Sequence, residues 1–263
     1  MNTVITHFYN EEYMLAWWID HHKKIFDHGI MINYDSTDRS VEICRELCPP
    51  HWKIVDTINE VFLSSTNDLE VKYHESTVEG FKIALTVTEF LLPPCPLNDI
   101  NKFIIDNNIN YLKTTGVCMV DNDTNNLPSH GLPLFVQKHH GVIRNYVDPN
   151  QPWLPDAWNH NFGRYYHNNR FGKYSPGRHN LVDCDNVMHV NNVFVLKYKY
   201  SPWNDISIDR ILKYESKVRD ASSDYPLHSA QDHNGWYKHF LNLSHDLRDD
   251  HSFNAAFEYC RRL

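Results

Sequence analysis

The chain has 263 residues, 41% of them hydrophobic and 13% aromatic, enough apolar material for a packed core and too much for a disordered polymer. A formal net charge of −8 argues against the broad basic face that sequence-independent nucleic-acid binders carry. No apolar run approaches the ~20 residues of a membrane-spanning helix, and the start MNTVITHFYNEE lacks the basic and apolar regions of a secretory leader.

A cytoplasmic setting is therefore expected. The six scattered cysteines are expected to be buried free thiols, because no second pair accompanies Cys44 and Cys48 at zinc-ribbon spacing.

In chain order, Thr3 to Phe8 reads as a strand. Glu11 to Phe26 reads as a helix with an apolar face of Met14, Leu15, Trp18 and Ile19. Ile30 to Asn33 is a second strand and Ser36 to Cys48 a second helix, stopped by Pro49-Pro50. Trp52 to Val55 is a third strand. This β-α-β-α-β order predicts a parallel sheet with crossover helices. Asn67 to Glu79 is a predicted helix, Phe81 to Phe90 a single buried strand, Ile100 to Leu112 a helix and Val117 to Val120 a strand. Beyond Asp121 the pattern breaks into loop-rich sequence full of Asn, His, Pro and Tyr. Strand-like pieces stand at Pro133 to Gln137 and Val193 to Tyr198. SPWND, from Ser201, reads as a helix start with Ser at the N-cap and Pro at the first position. The absence of a repeat or linker predicts one domain over 1–263. Residues 1–120 form its ligand-binding half, and 121–263 an elaborated half with a helical end.

Two polar clusters, Asn10-Glu11-Glu12 and Asp35-Ser36-Thr37-Asp38, follow the carboxyl ends of the first two strands, where parallel sheets bind ligands. Taken alone, the second cluster is an Asx turn with an N-cap. Paired with the first, it points to a pocket.

These clusters resemble the nucleotide-binding half of GT-A glycosyltransferases of the family 2-like group. EGFKIALTVTEFLL, GKYSPGRHN and LKYKYSPWNDISIDRILKYESKV resemble further segments of small glycosyltransferases from bacteria and large algal viruses. The likeness spans roughly residues 3 to 235. It implies an α/β, GT-A type fold with a Rossmann-like mixed sheet flanked by helices. It also implies transfer of a sugar from a nucleotide-sugar donor, expected to be UDP-linked, to an oligosaccharide or glycoprotein glycan. By the same resemblance Phe8, Tyr9, Asn10 and Glu12 line the nucleoside pocket, Asp35 accepts from the base, and Ser36 and Asp38 shape the loop.

The sequence departs from the family where it usually carries Asp-x-Asp-Glu-Phe, because Thr86-Val87-Thr88-Glu89 stands there. Carboxylates at this point hold a divalent cation that absorbs the charge of the departing diphosphate. Two threonines cannot, which leaves three readings. In the preferred one no metal is needed and Arg178, His179, Lys213 and the helix start at Ser201 take the charge. In the second, Asp121 and Asp123, or Glu89, hold Mn2+ or Mg2+. In the third, the chain is a non-catalytic carbohydrate-binding relative.

An inverting transfer needs a base near the acceptor hydroxyl. Asp121 is the first candidate by chain position, with Asp68, Asp156 and Asp232 behind it. Of the eighteen histidines, most read as surface or core residues; no His-Glu-x-x-His occurs, and only His233 is retained as a site candidate. Trp158, Arg164 and His167, in the loop-rich half, are candidates for acceptor binding. Loss of the Asp pair is compatible with a small donor such as a xylosyl nucleotide. A Rossmann oxidoreductase is disfavoured, since Phe-Tyr-Asn-Glu-Glu replaces the glycine-rich loop after the first strand.

Overall fold

The computed structural model of the chain describes residues 1–143, 163–222 and 227–263. Its first half alternates as expected: β1 (Asn2–Phe8), α1 (Glu12–His22), β2 (His28–Asn33), α2 (Ser40–Leu47), β3 (Lys53–Asp56), α3 (Ser64–Ser76) and β4 (Phe81–Ala84). The four strands form a parallel sheet in the order β3-β2-β1-β4. The register sets Phe8 beside Asn33, so the β1 and β2 tips end level with one another. At Gly29, on β2, an added Cβ would lie 2.2 Å from the Trp52 ring; the indole packs where any larger residue would put a side chain.

Phe81 to Phe90 is not one strand. After β4 the chain turns at Thr86, whose carbonyl accepts from the Glu89 N–H at 2.8 Å, and β5 (Glu89–Leu92) enters a second sheet. The indole N–H of Trp18, on α1, donates to the carbonyls of Thr86 and Glu89 at 3.1 and 2.9 Å. A core side chain thus fixes the turn.

The chain continues through α4 (Leu97–Asp106), β6 (Tyr111–Val120), the short α5 (Leu134–Gln137), β7 (His140–Ile143), β8 (Tyr165–Tyr166) and β9 (Val187–Tyr200). It ends with α6 (Asp205–Ala221), α7 (Ala230–Leu243), β10 (His245–Asp246) and α8 (His251–Arg261). The second sheet runs β10-β7-β6-β9-β5, with β8 on β6. It is mixed: β6 and β9 are parallel and the other pairs antiparallel. The fold is thus α/β, a parallel sheet and a mixed sheet flanked by helices.

In Pro133 to Gln137, expected as strand-like, Leu134–Gln137 is a helical turn following Pro133, whose fixed φ suits that position. The helix expected from Ser201 begins only at Asp205. Ser201 precedes a cis bond to Pro202, Trp203 N–H is drawn to the buried Asp121 carboxylate at 3.0 Å, and the Asn204 side chain accepts from Ser207 N–H at 2.9 Å at the true helix start.

Helix α6 crosses the tips of the parallel sheet. Asn204 reaches the Tyr13 hydroxyl on α1 at 2.8 Å, and Arg210 grips Glu11 at 3.0 and 3.2 Å. The Lys217 ammonium lies 5.2 Å from the Tyr9 ring and 5.6 Å from the Tyr34 ring, a cation–π arrangement that joins α6 to both strand tips.

Candidate active site

Between the strand tips and α6 lie two adjoining hollows of about 190 and 180 Å³ that share Glu11, Thr86, Lys197 and Tyr214. One extends to Thr88, Lys199, Arg210 and Glu215. The other extends to Phe8, Tyr9, Asp68, Arg164, Arg178 and His179. The sheet brings the β1 tip and the Thr86–Thr88 turn to this cleft because both follow carboxyl ends of neighbouring parallel strands.

The two polar clusters meet, and they chiefly bind each other. Asn10, in the left-handed region at φ 51°, accepts from Thr37 N–H at 2.7 Å and donates its own N–H to Ser36 Oγ at 3.1 Å. Glu12 N–H donates to Asp38 at 3.0 Å, and Arg39 N–H donates to Glu12 at 3.1 Å. Asn10, Glu12, Ser36 and Asp38 therefore clamp the two tips together rather than offering themselves to a ligand. Asp35, exposed at φ 49°, stands at the β2 tip outside this clamp. Phe8 and Tyr9 line the cleft.

Thr86 and Thr88 also line it, their hydroxyls 3.1 Å apart and hydrogen-bonded to each other. Behind them Glu89 is fully buried. Arg164 binds it through Nε at 2.8 Å and a terminal nitrogen at 2.6 Å, Lys197 at 3.0 Å and Thr86 N–H at 2.9 Å. Burial alone would raise the Glu89 carboxyl; the charges of Arg164 and Lys197 outweigh it and hold the group far below the usual range.

This donor set does not fit Mn2+ or Mg2+. Mn2+ and Mg2+ are ordinarily held by at least one free carboxylate, the threonines are neutral, and both Glu89 oxygens are engaged. Glu89 is corrected from candidate ligand to anchor. Arg164, expected to meet the acceptor, is the other half of that anchor and also donates to the Gly177 carbonyl at 2.6 Å.

Asp121 is corrected as well. It is 2% exposed, paired with Lys138 at 2.7 Å, and accepts from Trp203 N–H at 3.0 Å and Asp123 N–H at 3.1 Å. With the Lys138 ammonium against it and its oxygens taken, it neither reaches an acceptor nor shares a metal with exposed Asp123. It tethers the turn before α6. Ser201 is buried and does not cap α6. Lys213 is exposed on α6 and does not line either hollow. His167 is wholly buried beneath the site, bonded to the Tyr174 hydroxyl at 2.8 Å. Trp158 and Asp156 lie outside the described residues, and Asp232 belongs to the capping box of α7.

Arg178, at φ 61°, is held by the buried Asp68 and lines the cleft beside His179. An Arg164 terminal nitrogen lies 3.5 Å from His179 Nδ1. Guanidinium only donates, so in this contact His179 Nδ1 is the acceptor.

The sequence reading missed Lys197, Lys199 and Arg210. Burial lowers the Lys197 and Lys199 ammonium groups, and the charge of Lys197 lowers Lys199 further. Lys199 makes no ion pair among the described residues; its ammonium lies 5.6 Å from the Trp236 ring. The signal for both lysines was the Lys-Tyr-Lys-Tyr alternation in β9, which puts them on one face of a strand and two buried tyrosines on the other.

No known protein family matches this chain, and no protein of curated function matches its sequence. Several solved structures resemble it distantly. A mannosyltransferase from Pyrobaculum calidifontis in complex with GDP-Man and Mn2+ aligns over 98% of this chain and 73% of that one, with a TM-score of 0.45 and 10% identity. GalNAc-T7 with UDP, GalNAc and Mn2+ aligns over 92% of this chain, with a TM-score of 0.44 and 12% identity, and the chain spans about half (54%) of its length. Glucosyl-3-phosphoglycerate synthase from Mycobacterium tuberculosis aligns over 85% and 81%, with a TM-score of 0.42 and 13% identity. In its complex with Mn2+ and UDP the alignment covers 44% of each chain, with a TM-score of 0.33 and 14% identity. At such distances no residue role transfers, and each assignment rests on this chain's own side chains.

Proposed function

We propose that this protein is a glycosyltransferase of GT-A type that uses a nucleotide-sugar donor, expected to be UDP-linked, and that its own cations bear the charge of the leaving diphosphate. The observation that carries the reading is the cleft itself. Two strand tips of a parallel sheet end at a hollow whose wall holds Arg178, Lys197, Lys199 and Arg210, with two hydroxyls where a metal site would need carboxylates.

The base and ribose lie against Phe8 and Tyr9 near the β1 and β2 tips. The diphosphate lies toward Lys197 and Lys199, with His179 and Arg178 at its other side. In the transfer the acceptor hydroxyl oxygen bonds to the anomeric carbon as the bond to the β-phosphate oxygen breaks. The electron pair leaves with the diphosphate, and the hydroxyl proton goes to a proton acceptor. Fixed cations in a water-poor cleft stabilise the charge that grows on the departing oxygen. A single displacement inverts the anomeric centre. The acceptor is a glycan, and the donor screen includes pentosyl as well as hexosyl nucleotides.

One observation favours a second reading, a non-catalytic carbohydrate-binding relative. Among the described residues, the lining carboxylates Glu11 and Asp68 are each paired with an arginine, and Glu215 with histidines, which leaves none ready to take a proton.

Thermal-shift screening of UDP, GDP and their sugars, followed by assay of free nucleotide release, separates the readings. A UDP-sugar that raises the melting temperature and is slowly split to UDP supports the transferase. Stabilisation by free glycans with no nucleotide effect overturns it.

A further inference from the structure

We infer a divalent transition-metal site at Glu215, His228 and His233, on the edge of the cleft and separate from the Thr86–Thr88 turn. It rests on these side chains alone and not on the transferase reading.

Glu215 projects from the middle of α6, His228 from the segment before α7, and His233 from the first turn of α7. One candidate ligand atom from each lies within 4.8 Å of the other two. His228 Nδ1 is 3.3 and 3.2 Å from the two Glu215 oxygens. His233 Nε2 is 3.2 Å from one of them. Yet His233 is 0% exposed and neither ring nitrogen makes a hydrogen bond. A buried imidazole is ordinarily partnered. One that sits 3.2 Å from a carboxylate oxygen without hydrogen-bond alignment has the spacing of two ligands around a shared ion. Zinc–nitrogen and zinc–oxygen bonds of about 2.0–2.1 Å in a tetrahedron put ligand atoms about 3.3 Å apart.

The support is rigid. Ser229 and Asp232 form a complete capping box at the start of α7, which fixes the backbone between the two histidines. Trp236, one turn further on, packs edge-on against both rings at 4.7 and 4.9 Å. Two imidazoles and one carboxylate suit Zn2+ and its first-row neighbours over Mg2+ or Ca2+. Three protein ligands leave a position for water or another ligand, and Glu215 lies on the wall of the hollow that holds Thr86, Thr88 and Lys199.

A second trio, His139, His140 and Asp246, does not compete. Its carboxylate is already gripped by a permanent cation, Arg248, through Nε at 2.9 and 3.2 Å.

The test uses the full chain stripped of metal. Titration with Zn2+ against a chromophoric chelator, and with Co2+ followed by visible absorption, is expected to show one tight equivalent and a four- or five-coordinate cobalt band. Because loss of outer-shell partners alone weakens metal sites by about 10–100-fold, Glu215→Gln and His233→Ala are each expected to weaken binding by at least about a hundredfold. His139→Ala is expected to leave it unchanged. If His233→Ala fails to fold by circular dichroism, His228→Ala, at the partly exposed ligand, carries the same expectation. No tight equivalent in the wild-type chain, or wild-type affinity in the folded ligand variants, overturns the site. Neither outcome bears on nucleotide binding, so the donor screen stands or falls separately.

Discussion

Glu89, buried behind the Thr86–Thr88 turn, and Glu215, on α6 and on the wall of the cleft, are both almost free of water. Glu89 is met by Arg164 and Lys197, Glu215 by His228 and His233. In both, burial pushes the carboxyl up and the neighbours pull it further down. The neighbours differ in one property. Guanidinium does not give up its proton in a protein, so Glu89 is locked as an anchor. Imidazole can exchange a proton for a metal ion, so the Glu215 group remains open to a metal. A buried acid is therefore read by what its partners can release.

The largest expected effect breaks or upholds this contrast directly. Glu89→Gln leaves two cations buried without their counter-charge and should destabilise the chain by about 3–5 kcal/mol, measured by urea unfolding. Glu215→Gln leaves two imidazoles that can be neutral and should cost about 1–2 kcal/mol. Equal losses would mean that the partners' chemistry does not matter and would end the comparison.

Acid sharpens it. The folded Glu89 carboxyl lies below its unfolded value, so its contribution is complete above about pH 4.3 and is lost only as pH falls through the folded value. It cannot cause a loss of stability between pH 6.5 and 5. His21 can. Burial lowers its pKa from 6.5 to about 4, and its Nε2 sits 2.7 Å from the Leu91 carbonyl. Below pH 6.5 the unfolded chain takes a proton that the folded chain refuses. Stability should therefore fall with pH and the loss be complete near pH 4, with about 3 kcal/mol from this residue. Urea midpoints at pH 7, 6 and 5 check the slope. His21→Gln should reduce it by that residue's share, the neighbouring buried His22, whose pKa burial also lowers, keeping part of the rest, and Glu89→Gln should leave it in place.

The same contrast explains which parts were legible in the sequence. The β-α-β-α-β order was readable because each element carries its own period: buried runs in Ile30 to Ile32, a helical face through Leu15 and Trp18. The strand-tip clusters were readable as local polar signals, whereas Phe8 and Tyr9, which line the cleft, were named only through the resemblance. Asp121 was misread because its fate is decided by Lys138, seventeen residues on, and by Trp203, eighty-two residues on. Glu89 was misread for the same reason, its partners lying seventy-five and one hundred and eight residues away. A carboxylate's role depends on who neutralises it, and at that range no spacing in the chain records the partner. Lys197 and Lys199 were within reach, since their alternation with buried tyrosines is a local signal; the resemblance drew attention to Arg178 and Lys213 instead.

The smallest effect concerns these two lysines, one from each kind of neighbourhood. Lys197 is tied to Glu89, whereas Lys199 has no ion pair among the described residues and is pressed by burial and by the Lys197 charge. Removing Lys197 loosens the anchor and so mixes stability with binding. Lys199→Ala removes a charge that makes no ion pair among the described residues, losing ring contacts to Tyr200 and Trp236 while relieving a like-charge contact with Lys197. Its melting temperature should change little. Its affinity for a nucleoside diphosphate should fall about tenfold, the share of one charge-assisted hydrogen bond of about 1.5 kcal/mol. Calorimetric titration of UDP into both variants reads the split. If Lys199→Ala binds UDP as tightly as the parent chain, the diphosphate does not lie toward the Glu215 side of the cleft. The cations that hold it would then have to be those of the Arg178 side.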